Sequence, residues 1–248
     1  MAVSKTLTTS RIPWVYSAEE ALEATEKVIG SKANQLAYLS TFVDKVPPWF
    51  VVSATSWISC LDQAGQNDAI AEKLQSLQKD ADTDMVSALG KTLQAVTKMV
   101  EVPDSIRSAI RYACGSTFPA NSWLAVRPSP YVVKPEADYT GVFPVYLSIR
   151  HPDDIVKAVK DIWQAQFSPR VLAYRLKHGL SLSDMDCAVI VQEMIAPIIS
   201  GTAKSATEES PFHVLIKSVY GTGFKLTRDD AEADSYTLNK QTGDIEAA

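Results

Sequence analysis

The feature that most constrains this chain is a change of hydrophobic period along its length. From about Thr55 to Cys114 apolar residues recur at helical spacing almost without interruption, through "DAIAEKLQSLQ", "DTDMVSALGKTLQAVTKMV" and "PDSIRSAIRYAC". Past Asp186 the pattern turns into short apolar or alternating runs, "AVIVQEMI", "FHVLIKSV" and "DSYTLN", joined by polar turns. A helix-rich first half and a strand-rich end predict an α+β fold with two lobes, residues 1–185 and 186–248. A cleft between lobes is a usual place for a ligand.

Local signals refine this outline. Ser17 and Glu20 have capping-box spacing, which predicts a helix through "AEEALEATEKVI". A second helix is expected to begin near Ser31 or Lys32, with Leu36 and Leu39 turned inward. Pro47-Pro48 stops it, and Trp49 to Val52 reads as a buried strand. "WLAVRPS" is apolar and then abruptly basic, as in a core strand that delivers Arg127 to its end, and "VYLSI" reads as another strand. "HPDDIVKAVKDIWQAQF" places Ile155, Val156, Val159, Ile162 and Trp163 on one helical face. In "SPRVLAYRLKHG", Ser168 is an N-cap, Pro169 stands at the first helical position and Gly179 lies past the end.

Bulk properties exclude several classes. The chain of 248 residues has a formal net charge of −5, which gives no general attraction to nucleic acid or an anionic membrane. An anionic ligand must therefore meet a local cluster of cations. The three cysteines, Cys60, Cys114 and Cys187, are scattered and contain no C-x-x-C, which fits a reducing cytosol rather than a disulfide framework or zinc site. No apolar run approaches 18 residues and the N-terminus lacks a signal-peptide core, so a cytoplasmic protein, or a piece of one, is expected.

The order of motifs is more informative than any single motif. "IGSKANQLAYLSTFVDKVPPWFVV" resembles the opening Gly-Gly-Lys-x-x-Asn-Leu and Val-Pro-x-Gly-Phe-Val-Val of the nucleotide-binding domain in phosphoenolpyruvate synthase, pyruvate phosphate dikinase, rifampicin phosphotransferase and glucan water dikinase. "LAVRPS" is similar to that family's Val-Arg-Ser-Ser. "DYTGVFPVYLSI" is similar to its Ser-Phe-Ala-Gly-x-x-x-Thr-Tyr-Leu-Asn-Val hairpin. "DIWQAQFSPRVLAYRLKHGL", "AVIVQEMIAPIISGTAKS" and "IKSVYGTGF" follow with their counterparts in the same order.

The resemblance implies an ATP-grasp-like domain that binds ATP with Mg2+ between two lobes. It also implies transfer of a phosphoryl group to a histidine on a separate domain, which carries it to an acceptor. Lys32 would be the phosphate-binding lysine and Arg127 a bidentate phosphate clamp. The segment Gln192, Glu193, Met194 and Ile195 would bind adenine through backbone groups. Without the resemblance, Lys32 reads as a solvated lysine at a helix start, Arg127 as a strand-end arginine paired with an acid, and Gln192 as a core polar residue satisfying backbone.

Several positions depart from the family pattern. Pro128 replaces a serine, Val142 a glutamine, and Lys217 and Phe224 two acids. The family's metal-binding Asp-x-Glu strand lies beyond the last turn of this sequence, and "GDIEAA" resembles it only by its letters, so the metal ligands are not identified. Two functions stand open at this point. One is the ATP-binding domain of a dikinase-like phosphotransferase that needs further domains. The other is a non-catalytic homologue that binds a small molecule or a protein, or a site turned to specialised metabolism. His178 reads as a helix C-terminal residue, His151 and His213 show no partner acid, and Arg170 and Arg175 are expected to pair with nearby acids.

Overall fold

The computed structural model describes residues 13–78, 82–134, 137–184, 186–207, 210–223, 226 and 233–247. Two compact units divide between Met194 and Ile195.

In the first unit, strand β1 (Val15–Ser17) leads into a single 3-10 turn, Glu20–Leu22. The capping box forms: Ser17 N donates to Glu20 Oε2 (2.8 Å) and Glu20 N to Ser17 Oγ (3.2 Å). It heads one turn rather than the long helix its spacing predicts. Helix α1 (Glu26–Leu39) follows and is broken at Gly30, where φ is 76° and ψ 160°. The regular helix therefore restarts at Ser31, as the sequence suggests. Its inward face is made of Ala33 and Ala37; Leu36 is only partly buried and Leu39 is exposed. Small side chains let the helix axis approach the sheet closely, and this leaves the leucines at the margin.

Strand β2 (Trp49–Val52) comes next, then helices α2 (Ala54–Gln63), α3 (Asn67–Gln78), α4 (Thr83–Lys98) and α5 (Asp104–Thr117). Strands β3 (Leu124–Pro130) and β4 (Tyr146–Ile149) precede α6 (Pro152–Ala165), α7 (Pro169–Lys177) and β5 (Cys187–Glu193). Ser168 caps α7 by accepting from Val171 N at 3.2 Å, and Gly179 adopts a positive φ past its end.

The five strands form one antiparallel sheet in the order β1-β2-β5-β3-β4. Strand β5, an almost continuous apolar run, lies at its centre between β2 and β3. Strand alternation sends Phe50, Val52, Leu124, Val126, Val189 and Val191 to one face, where they join α2 to α7 in the larger core. On α6, Ile155, Val159, Ile162 and Trp163 are fully buried there, each worth about 1.5–3 kcal/mol. The opposite face carries Trp49, Val51, Ala188 and Ile190, which pack with Ile29, Ala33 and Ala37 of α1.

The second unit is an antiparallel meander, β6 (Ile199–Lys204), β7 (His213–Tyr220), β8 (Asp234–Asn239) and β9 (Ile245–Ala247). Together the two units make the α+β fold that the sequence predicts. No helix among the described residues is long and apolar enough to cross a membrane.

Candidate functional site

On β3 the alternation places Ala125, Arg127 and Ser129 on the α1 side of the sheet. Ala125 pairs with Gln192, Arg127 with Ile190 and Ser129 with Ala188, so Gln192 stands diagonally next to Arg127 on the same face. Arg127, Ser129 and Gln192 thus stand together on a largely apolar face. Pro128 and Pro130 lie beyond Val126, the last β3 residue in register with β4, where that side of the strand needs no donor.

The start of the regular helix is fastened to the end of β3. Ser129 Oγ accepts from Ala33 N at 2.9 Å, so a strand residue satisfies one of the helix's free amides. Ser31 Oγ in turn accepts from Val132 N at 2.8 Å. Gly30 is required by this contact. A Cβ there would stand 1.7 Å from the Ser129 carbonyl oxygen, at a φ that other residues rarely adopt. Lys32 lies between these two fastened residues, in the first turn of the helix.

Lys32 is half-buried, and burial lowers its pKa; Asp138 acts in the opposite direction and Arg127 adds to the lowering. Burial also lowers the pKa of Arg127. Arg127 Nη2 donates to Gln192 Oε1 at 2.7 Å, a neutral acceptor, and Arg127 Nε is buried without a hydrogen-bond partner. Among the described residues neither cation forms an ion pair with a carboxylate. Two cations near a helix N-terminus repel one another and the helix dipole. A phosphate fits this donor set: it would accept from the guanidinium and offset both charges.

Gln192 Nε2 donates to Pro47 O (3.3 Å), so both ends of its amide are engaged and it orients Arg127. Glu193 N donates to Pro48 O (2.9 Å) and Met194 N to Trp123 O (2.7 Å), so both backbone amides are committed to main-chain acceptors. The Glu193 carboxylate accepts from Ser122 Oγ at 2.8 Å. Ile195 is the first residue of the second unit and is 61% exposed. Lys32, Arg127 and Gln192 thus form one group, with Glu193 and Met194 at the end of β5.

Two contributors escaped sequence reading. Ser129 caps α1 over a separation of 96 residues, and no local pattern signals that. Asp138 had a readable cue: Asp-x-Thr is a turn signature, and its carboxylate accepts from Thr140 N and Thr140 Oγ1, both at 2.8 Å. Burial acts to raise the Asp138 carboxyl, but those bonds and the Lys32 charge outweigh it and hold the pKa below the usual range.

Other assignments change. Arg170 donates to Gly141 O, and Arg175 to Ser181 O, Asp184 O and the Tyr139 hydroxyl, so these arginines bind carbonyls and a phenol rather than acids. The geometry follows from the loop carbonyls that converge on α7, which five-donor guanidinium groups satisfy well. His213 does have a partner acid, Glu246 at 2.7 Å, brought in by strand pairing that the sequence does not display. That carboxylate also accepts from Asn239 Nδ2 at 2.8 Å. No group of three or more His, Cys, Asp or Glu that could hold a metal occurs among the described residues. Lys217 is exposed on β7, Val142 is buried, and Phe224 lies outside the described residues.

Comparison with known proteins gives the same family as the motifs. The family model described as pyruvate phosphate dikinase, AMP/ATP-binding domain, matches residues 26–248. A probable phosphoenolpyruvate synthase of Methanothermobacter thermautotrophicus is 26% identical over 242 residues, covering 94% of this chain and 35% of the relative. The phosphoenolpyruvate synthase of Escherichia coli K12 is 28% identical over 219 residues, 86% of this chain and 28% of the relative. A rifampicin phosphotransferase of Streptomyces sviceus is 27% identical over 190 residues, 76% of this chain and 22% of the relative. The chain spans about a third or less of the length of these relatives. It belongs to the family of the pyruvate phosphate dikinase AMP/ATP-binding domain.

Proposed function

We propose that this chain binds ATP through Lys32 and Arg127 and serves as the nucleotide-binding part of a phosphoenolpyruvate synthase-like or rifampicin phosphotransferase-like phosphotransferase. The observation that carries the reading is the buried, unpartnered Arg127 Nε, with a half-buried Lys32 at the helix start fastened to the same strand, on a largely apolar sheet face. Arg127 would grip phosphate oxygens through its planar fork, steadied by Gln192. Lys32 would supply a point charge held in place by the Ser129–Ala33 and Ser31–Val132 bonds. Phosphoryl transfer asks mainly for such positioning and charge neutralisation. A bound Mg2+ would neutralise further phosphate charge, and the described residues offer no His, Cys, Asp or Glu cluster to hold it. A histidine-carrying domain and an acceptor domain would complete the reaction, in keeping with the greater length of the relatives.

A second reading, a homologue that binds without transferring a phosphoryl group, is favoured by the exposed Lys217, which stands where the family motif has an acid. In both readings the anion site is the same.

Calorimetric titration with ATP, with and without magnesium, tests the proposal. Lys32→Ala and Arg127→Ala should each weaken binding about tenfold or more, the loss of one charge-assisted contact, with circular dichroism unchanged. Equal affinity in wild type and both variants would remove the site. Binding that magnesium strengthens favours the phosphotransferase, and binding indifferent to magnesium favours the second reading.

A further inference from the structure

Helices α5 and α6 belong to the larger core, on the sheet face opposite the one that α1 covers. A cleft of about 330 Å³ opens beside them, lined on its apolar side by the buried Val102 and the partly buried Val156. Helical spacing sets Arg107 and Arg111 one turn apart on α5, and Lys157 and Lys160 one turn apart on α6; all four line the cleft. Two carboxylates, Glu101 and Asp153, line it with them, in a chain of formal net charge −5. The cations are held in place and still keep donors to offer. Arg107 Nε donates to Val102 O at 2.6 Å and its Nη2 to Glu101 Oε2 at 3.2 Å. Arg111 Nε and Nη2 both donate to Asp153 Oδ1, at 2.9 and 2.6 Å, so this pair lacks the two-oxygen fork of a full arginine–carboxylate contact. Among the described residues the Nη1 group of either arginine has no hydrogen-bond partner. Lys160 Nζ is fixed by Lys98 O at 3.2 Å, and Lys157 has neither a hydrogen bond nor an ion pair among the described residues.

We propose that the α5–α6 cleft is a second anion site, which binds a small phosphate-bearing polyanion independently of the Lys32–Arg127 corner. Four cations from two helices meet on one concave surface, and their mutual repulsion is relieved when an anion enters. The acids that compete for them, Glu101, Asp104 and Asp153, have side chains 80%, 98% and 74% exposed, where water and salt screen them. A tetrahedral phosphate presents oxygens in several directions, so it can accept from the guanidinium groups of α5 and the ammonium groups of α6 together. A planar carboxylate matches a single fork. Lys157 supplies its charge with no contact to give up, and each arginine offers Nη1 while its other nitrogens keep their present partners. The volume lies at the lower end for ligand pockets, which suits a small phosphorylated metabolite.

Titration of the full isotope-labelled chain with inorganic pyrophosphate, at low salt and without magnesium, tests this through amide chemical shifts. Amides of residues 101–111 and 153–160 should shift saturably, with half-saturation at or below about 1 mM. Lys157→Gln removes a side chain without a partner, so it should raise that concentration about threefold or more and leave thermal stability unchanged. Arg111→Gln should raise it about tenfold, the loss of a charge-assisted contact. Lys91→Gln, at an exposed position of α4 outside the cleft, should leave it as it was, and so should Lys32→Ala on the other sheet face. The absence of a saturable shift by about 10 mM pyrophosphate would overturn the proposal, as would equal shifts from sodium chloride at the same ionic strength. Loss of these shifts in Lys32→Ala would overturn the separateness of the site. Tighter binding of citrate than of pyrophosphate would overturn the choice of phosphate, and tighter binding of a hexaglutamate peptide would overturn the small ligand in favour of an acidic protein segment.

Discussion

The two faces of the five-stranded sheet are built from the same strands and have opposite characters. One face buries Phe50, Val52, Leu124, Val126, Val189 and Val191 under six helices, together with all three cysteines. The other is covered by α1 through Ala33 and Ala37, with Ala21 of the 3-10 turn beside it, and there Arg127, Ser129 and Gln192 interrupt the apolar surface. A dry, large-residue core cannot tolerate an unpartnered guanidinium nitrogen. A face closed by small residues and one fastened helix end can hold one near its margin. The first face holds the fold together, and the second uses that rigidity to position charge.

The sharpest way to break this division is Trp163→Ala. Trp163 is fully buried and stacks on Trp57 at 5.5 Å, so its removal should cost about 3–5 kcal/mol of stability in urea denaturation. ATP affinity of the remaining folded protein should stay the same. A loss of affinity larger than the loss of stability would show that the two faces are not separable.

Alkaline titration probes the same core next. Burial pushes the thiols of Cys60, Cys114 and Cys187 up to about 12 from an ordinary value of 9.0. A raised folded pKa means that the folded state keeps protons the unfolded chain releases. The stability this represents is therefore whole below pH 9 and is lost as pH rises toward 12, by about 1 kcal/mol per thiol one unit above 9. Lys32, with a lowered pKa, acts in the opposite sense, since the cost of burying its charge is relieved as pH rises through that value. The three thiols dominate, so the denaturation midpoint should fall. Thiolate absorbance appearing near pH 9 in the native protein would contradict the burial argument.

Arg127→Lys should leave stability within about 0.5 kcal/mol while weakening ATP binding about tenfold, because an ammonium cannot reproduce the planar fork. Ser129→Ala has the smallest expected effect. Losing the acceptor for Ala33 N should cost about 1 kcal/mol of stability and about fivefold in ATP affinity, as the Lys32 turn loosens.

Much of the fold was legible in local pattern. The α6 stripe, the Ser168–Pro169–Gly179 punctuation of α7 and the Pro47-Pro48 stop before β2 all announce themselves within a few residues. Strand β6 did not, because "ISGTAK" has little β-branched or alternating apolar character and its pairing with β7 decides its state. The site was half legible. Lys32 and Arg127 stand out as cations where the pattern turns basic or starts a helix. What brings them together lies in contacts across 96 residues for Ser129–Ala33 and 65 for Arg127–Gln192, which no spacing encodes. Asp138 takes its position from Arg175, 37 residues further on, through the Tyr139 hydroxyl.

The most direct test is a crystal structure of the chain with a non-hydrolysable ATP analogue. Phosphate oxygens are expected within hydrogen-bond distance of Arg127 Nε and Lys32 Nζ, with Gln192 still holding the Arg127 Nη2 group. An analogue bound with its phosphates elsewhere, and Arg127 Nε still without a partner, would contradict it.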